Sequence, residues 1–180
     1  WKKTSPMQGE RTVDRSDEVL QHLQQLSIPY TLYRHEPMLT IEACQHIEGV
    51  DWQQAAMCKN VFLCNRQQTA FYLMLLQHDR PFRTAVVSKL LGVSRLSFAP
   101  EDRLPQMLGL LPGAVSPLGL IFDTANQVRL VVDDVITQPQ RLLFHPCVNH
   151  LTVELQTDDF FQRFLPAIGH APTMITLPQE

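Results

Sequence analysis

The chain has 180 residues, 44% of them hydrophobic and 18% charged, the size and composition of one globular domain with one core, which excludes wholesale disorder. No apolar run reaches the roughly 18 residues that span a bilayer, and the amino end Trp1-Lys2-Lys3-Thr4-Ser5-Pro6 lacks the apolar stretch of a signal peptide, so a soluble, cytoplasmic protein is expected. Fifteen Lys+Arg against 18 Asp+Glu give a net charge of -3, and residues 17–180 alone carry -5, because the first sixteen hold four basic and two acidic side chains. No global field gathers nucleic acid, so any contact with it must be local.

Residues 1–15 are polar and aperiodic, and read as a flexible leader. Ser16 and Asp17 are candidate caps for a helix that carries Val19, Leu20, Leu23 and Leu26 at helical spacing and ends before Pro29. Tyr30 to His35 reads as a strand broken by Glu36-Pro37, and Thr40 caps a second short helix through Ile47, stopped by Gly49. The runs Cys58-Lys59-Asn60-Val61-Phe62-Leu63-Cys64 and Ala70-Phe71-Tyr72-Leu73-Met74-Leu75-Leu76, around polar Asn65 to Gln68, predict a hairpin at the sheet centre. Thr84 to Leu91 predicts a helix with Gly92 as its stop, and Leu96 to Phe98 a short strand. Pro100-Glu101-Asp102 suits the first turn of a helix toward Leu108, which Pro105 kinks or delays.

Leu118 to Phe122, Val128 to Val132 and His150 to Leu155 are three further strand candidates, the first two joined by an Asp123 to Gln127 turn. Thr157 and Asp158 cap a last helix with Phe160, Phe161, Phe164, Leu165 and Ile168, stopped by Gly169, and residues 171–180 read as a tail. This order has neither repeat nor linker nor clean β-α alternation. It predicts a single α+β (mixed α/β) domain over residues 16–170.

Cys44, Cys58, Cys64 and Cys147 form no C-x-x-C and no paired zinc spacing, so reduced thiols and no metal are expected; His145 with Cys147, or His46 with Cys44, lacks a second pair of ligands. Three segments are candidates for chemistry. Lys59-Asn60 opens an apolar strand, where a lysine is either snorkelling to solvent or anchoring a phosphate or carboxylate. Gly113-Ala114-Val115-Ser116-Pro117 is either an ordinary helix-to-strand turn or a loop whose backbone N–H groups can approach a carbonyl or oxyanion. His145-Pro146-Cys147-Val148-Asn149 offers a histidine and an asparagine able to orient a water, a hydroxyl or an ester carbonyl, or else a satisfied structural histidine. The serine-hydrolase elbow, the phosphate loop, the dinucleotide fingerprint and the H-E-x-x-H zinc motif are all missing from the sequence. Asp133-Asp134 reads as a solvated turn in preference to a cation site.

Four segments come in the order and spacing of one known group of proteins: Lys59-Asn60-Val61-Phe62-Leu63; Leu90-Leu91-Gly92-x-x-Arg95-Leu96-Ser97-Phe98-Ala99; Pro112-Gly113-Ala114-Val115-Ser116-Pro117-Leu118-Gly119-Leu120; and His145-Pro146-x-x-Asn149-x-x-Thr152. From about Ser16 to His170, and with Tyr30 and the His35-x-Pro37 to Thr40 stretch included, the chain resembles the YbaK/prolyl-tRNA editing superfamily, closest to its free-standing PrdX or ProXp-ala branch. Met57-Cys58, just before the lysine, departs from the pattern.

The resemblance implies a mixed, mostly antiparallel sheet flanked by helices, and a hydrolase that cleaves the ester joining a wrong amino acid to tRNA. It implies alanyl-tRNA(Pro) as substrate, with cysteinyl-tRNA(Pro) or another small aminoacyl-tRNA as the alternative, and no cofactor. The acceptor end of aminoacylated tRNA(Pro) is the implied ligand; prolyl-tRNA synthetase or an elongation factor is the implied protein partner, with neither membrane nor DNA. Carried over by residue, Lys59 anchors the 3′-terminal nucleotide with Asn60 in support, and His145 orients the terminal ribose or water. The backbone of Gly113, Ala114, Val115, Ser116 and Pro117 holds the aminoacyl carbonyl, and Asn149 is a lesser support. Lys59, His145 and Gly113 are the catalytic candidates. A non-catalytic RNA- or protein-binding relative is the rival reading; an RNA-binding module needs a broad basic face, which the charge of -5 over residues 17–180 opposes.

Overall fold

The computed structural model describes residues 15–37, 44, 46–108, 110, 115–148 and 150–178. Helix α1 (Ser16–Gln25) buries Val19 and Leu23, with Leu20 and Leu26 partly buried beside them, as the helical spacing predicts. Its N-cap is Arg15, and no side chain caps it among the described residues, so the capping expected from Ser16 and Asp17 is not found. Ser16 is already helical and buried; Asp17 and Glu18 instead place negative charge in the first turn, where the helix dipole favours it. Of the predicted second helix, residues 40–43 and 45 lie outside the described residues.

The strands are β1 (Tyr30–Arg34), β2 (Ala55–Cys64), β3 (Phe71–Gln77), β4 (Ser97–Phe98), β5 (Val128–Asp133), β6 (Arg141–Phe144), β7 (Leu151–Gln156) and β8 (Thr173–Ile175). They form one sheet in the order β1-β7-β6-β2-β3-β5-β8, with β4 on an edge of β2. The pairs β1/β7, β6/β7, β2/β3 and β2/β4 are antiparallel, and β2/β6, β3/β5 and β5/β8 parallel. The mixed α/β fold is therefore as expected, with the predicted hairpin at its centre. Its turn is set by Asn65, whose side-chain oxygen accepts from the N–H groups of Thr69 and Ala70 at 2.8 and 3.1 Å.

Helix α2 (Thr84–Leu91) ends at Gly92 in the left-handed conformation, φ 67°. The Pro100 segment forms a 3-10 turn (Glu101–Arg103) and then α3 (Leu104–Leu108), so the helix starts late and Pro105 sits where no N–H is missed. The last helix, α4, runs through Thr157–Asp159, a π turn at Phe160–Phe164 and Leu165–Ala167.

One segment is corrected. Leu118 to Phe122 is not a strand but part of a 3-10 helix, Pro117–Phe122. Pro117 pre-sets the first helical φ, and the Ser116 hydroxyl accepts the Leu118 N–H at 3.2 Å. A Cβ on Gly119 would meet the Leu108 carbonyl oxygen at 2.6 Å, so the helix packs on α3 at a distance only glycine permits. Two strands were not foreseen: β6, and β8, which lies in the stretch read as a tail and pairs with β5.

Alternation along β2 divides the two faces of the sheet. Cys58, Phe62 and Cys64 join the core built with α1, α3, the 3-10 helix and α4. Val61 and Leu63 point the other way and pack with Val87 of α2, while Ala55 and Met57 on that same face pack with Cys44, Ile47 and Leu143. Lys59 falls between these last two clusters.

Candidate active site

In the parallel β2/β6 pair, Met57 stands opposite Leu143. Two residues further along come Lys59, on the same face of β2 as Met57, and His145, past the last β2/β6 pair. Lys59 is half-buried and stands opposite Leu76 of β3. His145, the first residue after β6, is 9% exposed. Its Nε2 lies 3.9 Å from the Cys44 thiol, which packs with Met57 and Leu143 on that face.

His145 is closely held. Its Nδ1 lies 2.8 Å from the Leu151 carbonyl oxygen and 3.5 Å from Thr152 Oγ1. Thr152 Oγ1 lies 2.7 Å from Nε2 of His35, whose Nδ1 is 2.8 Å from the Glu36 carbonyl oxygen. The two imidazole centroids are 6.1 Å apart. Burial holds the His145 pKa below the ordinary value of 6.5, the Leu151 carbonyl opposes this, and the nearby His35 adds to it. Further along the same face, Tyr33 Oη lies 3.4 Å from Glu154 Oε2, and Arg141 pairs with Glu154 at 3.5 Å. Burial, then the Glu154 charge, raises the Tyr33 pKa.

The other candidates sit elsewhere. Asn60 points to the opposite layer; its Nδ2 donates to the Cys58 carbonyl at 3.3 Å, and its buried Oδ1 has no partner among the described residues. Val115 packs partly buried against the core of that same layer, and Ser116 and Pro117 are buried at the start of the 3-10 helix. Gly113, Ala114 and Asn149 lie outside the described residues. Thus His145 is tied to His35, Thr152 and Cys44, while Asn60 and Val115 face the core on the other side of the sheet and Ser116 and Pro117 are buried at the start of the 3-10 helix. The connection that sequence reasoning left without a role is His35 with Thr152, although both lie in the segments that carry the resemblance.

The Cys58 thiol is pushed up to about 12 by burial, and all four cysteines are buried and outside any disulfide. Among the described residues no group of three His, Cys, Asp or Glu side chains could hold a metal ion, and no helix is long and apolar enough to cross a membrane. A separate cleft of about 1150 Å³, lined by Trp52, Ala55, Met57, Gln77, Arg80 and Arg83 among others, lies toward the amino end of β2 and does not include Lys59 or His145.

A buried histidine tied to a backbone carbonyl, a threonine hydroxyl and a second histidine is a group that can hold and move a proton in a hydrolytic site. Comparison with known proteins agrees: residues 35–162 match the family model of the aminoacyl-tRNA editing domain, and the chain belongs to that family. It is an aminoacyl-tRNA deacylase. It is 34% identical over 167 residues, covering 92% of this chain and 99% of the relative, to the prolyl-tRNA editing protein ProX of Acetoanaerobium sticklandii. It is 31% identical over 170 residues, covering 91% of this chain and 88% of the relative, to the prolyl-tRNA synthetase associated domain-containing protein 1 of Danio rerio. A crystal structure described as a candidate trans-editing enzyme for prolyl tRNA synthetase shares the fold at a TM-score of 0.65 and 14% identity, covering 92% of this chain and 99% of that one.

Proposed function

We propose that the chain is a cytoplasmic trans-editing hydrolase that deacylates mischarged tRNA(Pro), with alanyl-tRNA(Pro) as its preferred substrate. The observation that carries this reading is the match of residues 35–162 to the aminoacyl-tRNA editing domain, supported by the buried His145 held by Leu151 and Thr152. The aminoacyl-tRNA editing family supports the reaction, and two relatives, one a prolyl-tRNA editing protein and one a prolyl-tRNA synthetase associated protein, support the substrate class.

The aminoacyl ester is already activated, so holding it and a water in reacting geometry suffices without a protein nucleophile. Lys59 meets the phosphate of the 3′-terminal nucleotide as a local cation in a mildly acidic protein. His145 orients the attacking water or the terminal ribose hydroxyl. Water oxygen bonds to the ester carbon, the carbon–ribose oxygen bond breaks, and the ribose oxygen takes up a proton, releasing amino acid and tRNA. The backbone from Gly113 to Pro117 holds the aminoacyl carbonyl, with Asn149 in support, and Asn60, whose side chain turns to the opposite layer, supports the lysine end only through its place in β2. The acceptor end is the part of tRNA bound, and prolyl-tRNA synthetase, whose errors the enzyme removes, is the natural partner.

Deacylation of alanyl-, cysteinyl-, seryl- and prolyl-tRNA(Pro) by the purified chain tests this. Fast release of alanine alone supports the reading, preference for the cysteinyl ester moves the protein to that activity, and inertness toward all four rejects it.

A further inference from the structure

Two backbone carbonyls decide where the protons sit around His145. A carbonyl oxygen only accepts, so the 2.8 Å contact to Leu151 requires the hydrogen of His145 to be on Nδ1. His35 is arranged alike: its Nδ1 lies 2.8 Å from the Glu36 carbonyl oxygen, so Nδ1 donates and Nε2 of the neutral ring accepts. The Thr152 hydroxyl, 2.7 Å from that Nε2, gives its one hydrogen to His35. Its oxygen therefore turns only lone pairs toward the Nδ1–H of His145 at 3.5 Å. A His145 tautomer with bare Nδ1 would set lone pair against lone pair at both Leu151 and Thr152. What remains is Nε2 as an acceptor, and its neighbour is the weakly donating Cys44 thiol at 3.9 Å. Thr152 is fully buried, so the protein and not water sets this pattern.

Building on the deacylase reading above, we propose that Thr152 and His35 are positioning residues that hold His145 as its Nδ1–H tautomer, so that the bare Nε2 takes a proton from the attacking water, directly or through the ribose hydroxyl, and returns that proton to the departing ribose oxygen. Replacement of the weak thiol donor at Nε2 by the stronger oxygen donor of the substrate complex follows from the same geometry.

Two measurements test it. Long-range proton–nitrogen spectra of the ring-labelled protein, with His145 assigned through His145→Gln, read the tautomer without any substrate. Steady-state deacylation by Thr152→Val, Thr152→Ser, His35→Ala and the Thr152→Val/His35→Ala double variant reads its consequence. The expected result is an Nδ1–H ring for His145, and a fall in kcat of about tenfold with KM nearly unchanged for Thr152→Val and His35→Ala, the size of one lost hydrogen bond. Thr152→Ser keeps near-native kcat, and the double variant is no slower than either single one, because both break the same bond. An Nε2–H ring or an imidazolium at neutral pH overturns the proposal, as does native kcat in Thr152→Val, equal loss in Thr152→Ser, or additive losses in the double variant. A wild-type protein inert on every aminoacyl-tRNA rejects the deacylase reading and the substrate-facing half of this proposal, while the spectra still decide the tautomer.

Discussion

Lys59 and His145 each lie two residues beyond the paired Met57 and Leu143 that end the parallel β2/β6 ladder. Equal steps along a parallel pair keep side chains in line and on one face as far as that last pair.

Lys59→Ala is expected to lower deacylation by roughly tenfold to a hundredfold, the value of a charge-assisted hydrogen bond to phosphate. The fold should persist, because the side chain is half-buried at the junction of two apolar clusters and fills neither. Circular dichroism and a deacylation assay check both parts; native activity in the folded variant would remove the anchor role.

The His145 ring sets a second expectation. Its pKa in the folded protein lies below 6.5, so between that lowered value and 6.5 the unfolded chain binds the proton more readily. Stability is therefore complete above 6.5 and falls as the pH drops through this window. Activity that needs the neutral ring keeps its plateau to below pH 6.5 and declines only on the acid side. The titratable groups facing the ring are His35 from the end of β1 and Cys44. His145→Gln should abolish the acid limb in kcat/KM and flatten the melting temperature over the same range. An acid limb unchanged in that variant would assign it to another group.

How much of this was legible beforehand depends on the length and regularity of each signal. Helices α1 and α2 and the β2/β3 hairpin carry long periodic patterns and lie where the pattern put them. Leu118 to Phe122 was misread because a short buried apolar run looks alike as strand or helix, and the Ser116 cap with Pro117 decides in favour of the helix. The four residues of β6 and three of β8 are too short to show a period. Lys59 at the entry of an apolar strand and His145 in a turn are each ambiguous alone, and the order of motifs is what favours the functional reading of both. The His35–Thr152 contact joins residues 117 apart in sequence and exists because β1 and β7 pair with Tyr33 opposite Thr152, a register no local pattern encodes.

Metal removal is expected to change nothing. The cysteines and histidines have no complete ligand spacing, and hydrolysis of an activated ester needs no Lewis acid. Dialysis against EDTA should leave the rate as it was. Loss of activity that zinc restores would replace the mechanism.

The thiols are expected to be dispensable. Cys58, with its pKa pushed up to about 12 by burial, stays a thiol at neutral pH and is a poor nucleophile. A Cys58→Ser, Cys147→Ser double variant should keep most of its activity, while each buried hydroxyl costs about 1–3 kcal/mol of stability. Thermal melts and assays well below the transition separate the two effects. Loss of activity in a folded double variant would revive a cysteine nucleophile.

Discrimination between amino acids is the last expectation, and it turns on what a small site can do. Attraction to one methyl group is weak, whereas a rigid wall rejects a larger side chain by clash. The end of the loop proposed to hold the aminoacyl group is stiff: Ser116 is fully buried and its hydroxyl is committed to the Leu118 N–H, and Pro117 is fixed as the first residue of a 3-10 helix. Such a support yields little when a bulkier group presses on it, because Gly119 behind it is already at the limit of approach to the Leu108 carbonyl. The five-membered ring of the correct proline should be excluded, and the methyl of alanine admitted. Alanyl-tRNA(Pro) is therefore expected to be cleaved faster than prolyl-tRNA(Pro) by at least about tenfold, within the range that a few methylene groups can supply. Single-turnover rates on the two esters measure this directly, and comparable rates would reject exclusion as the source of specificity.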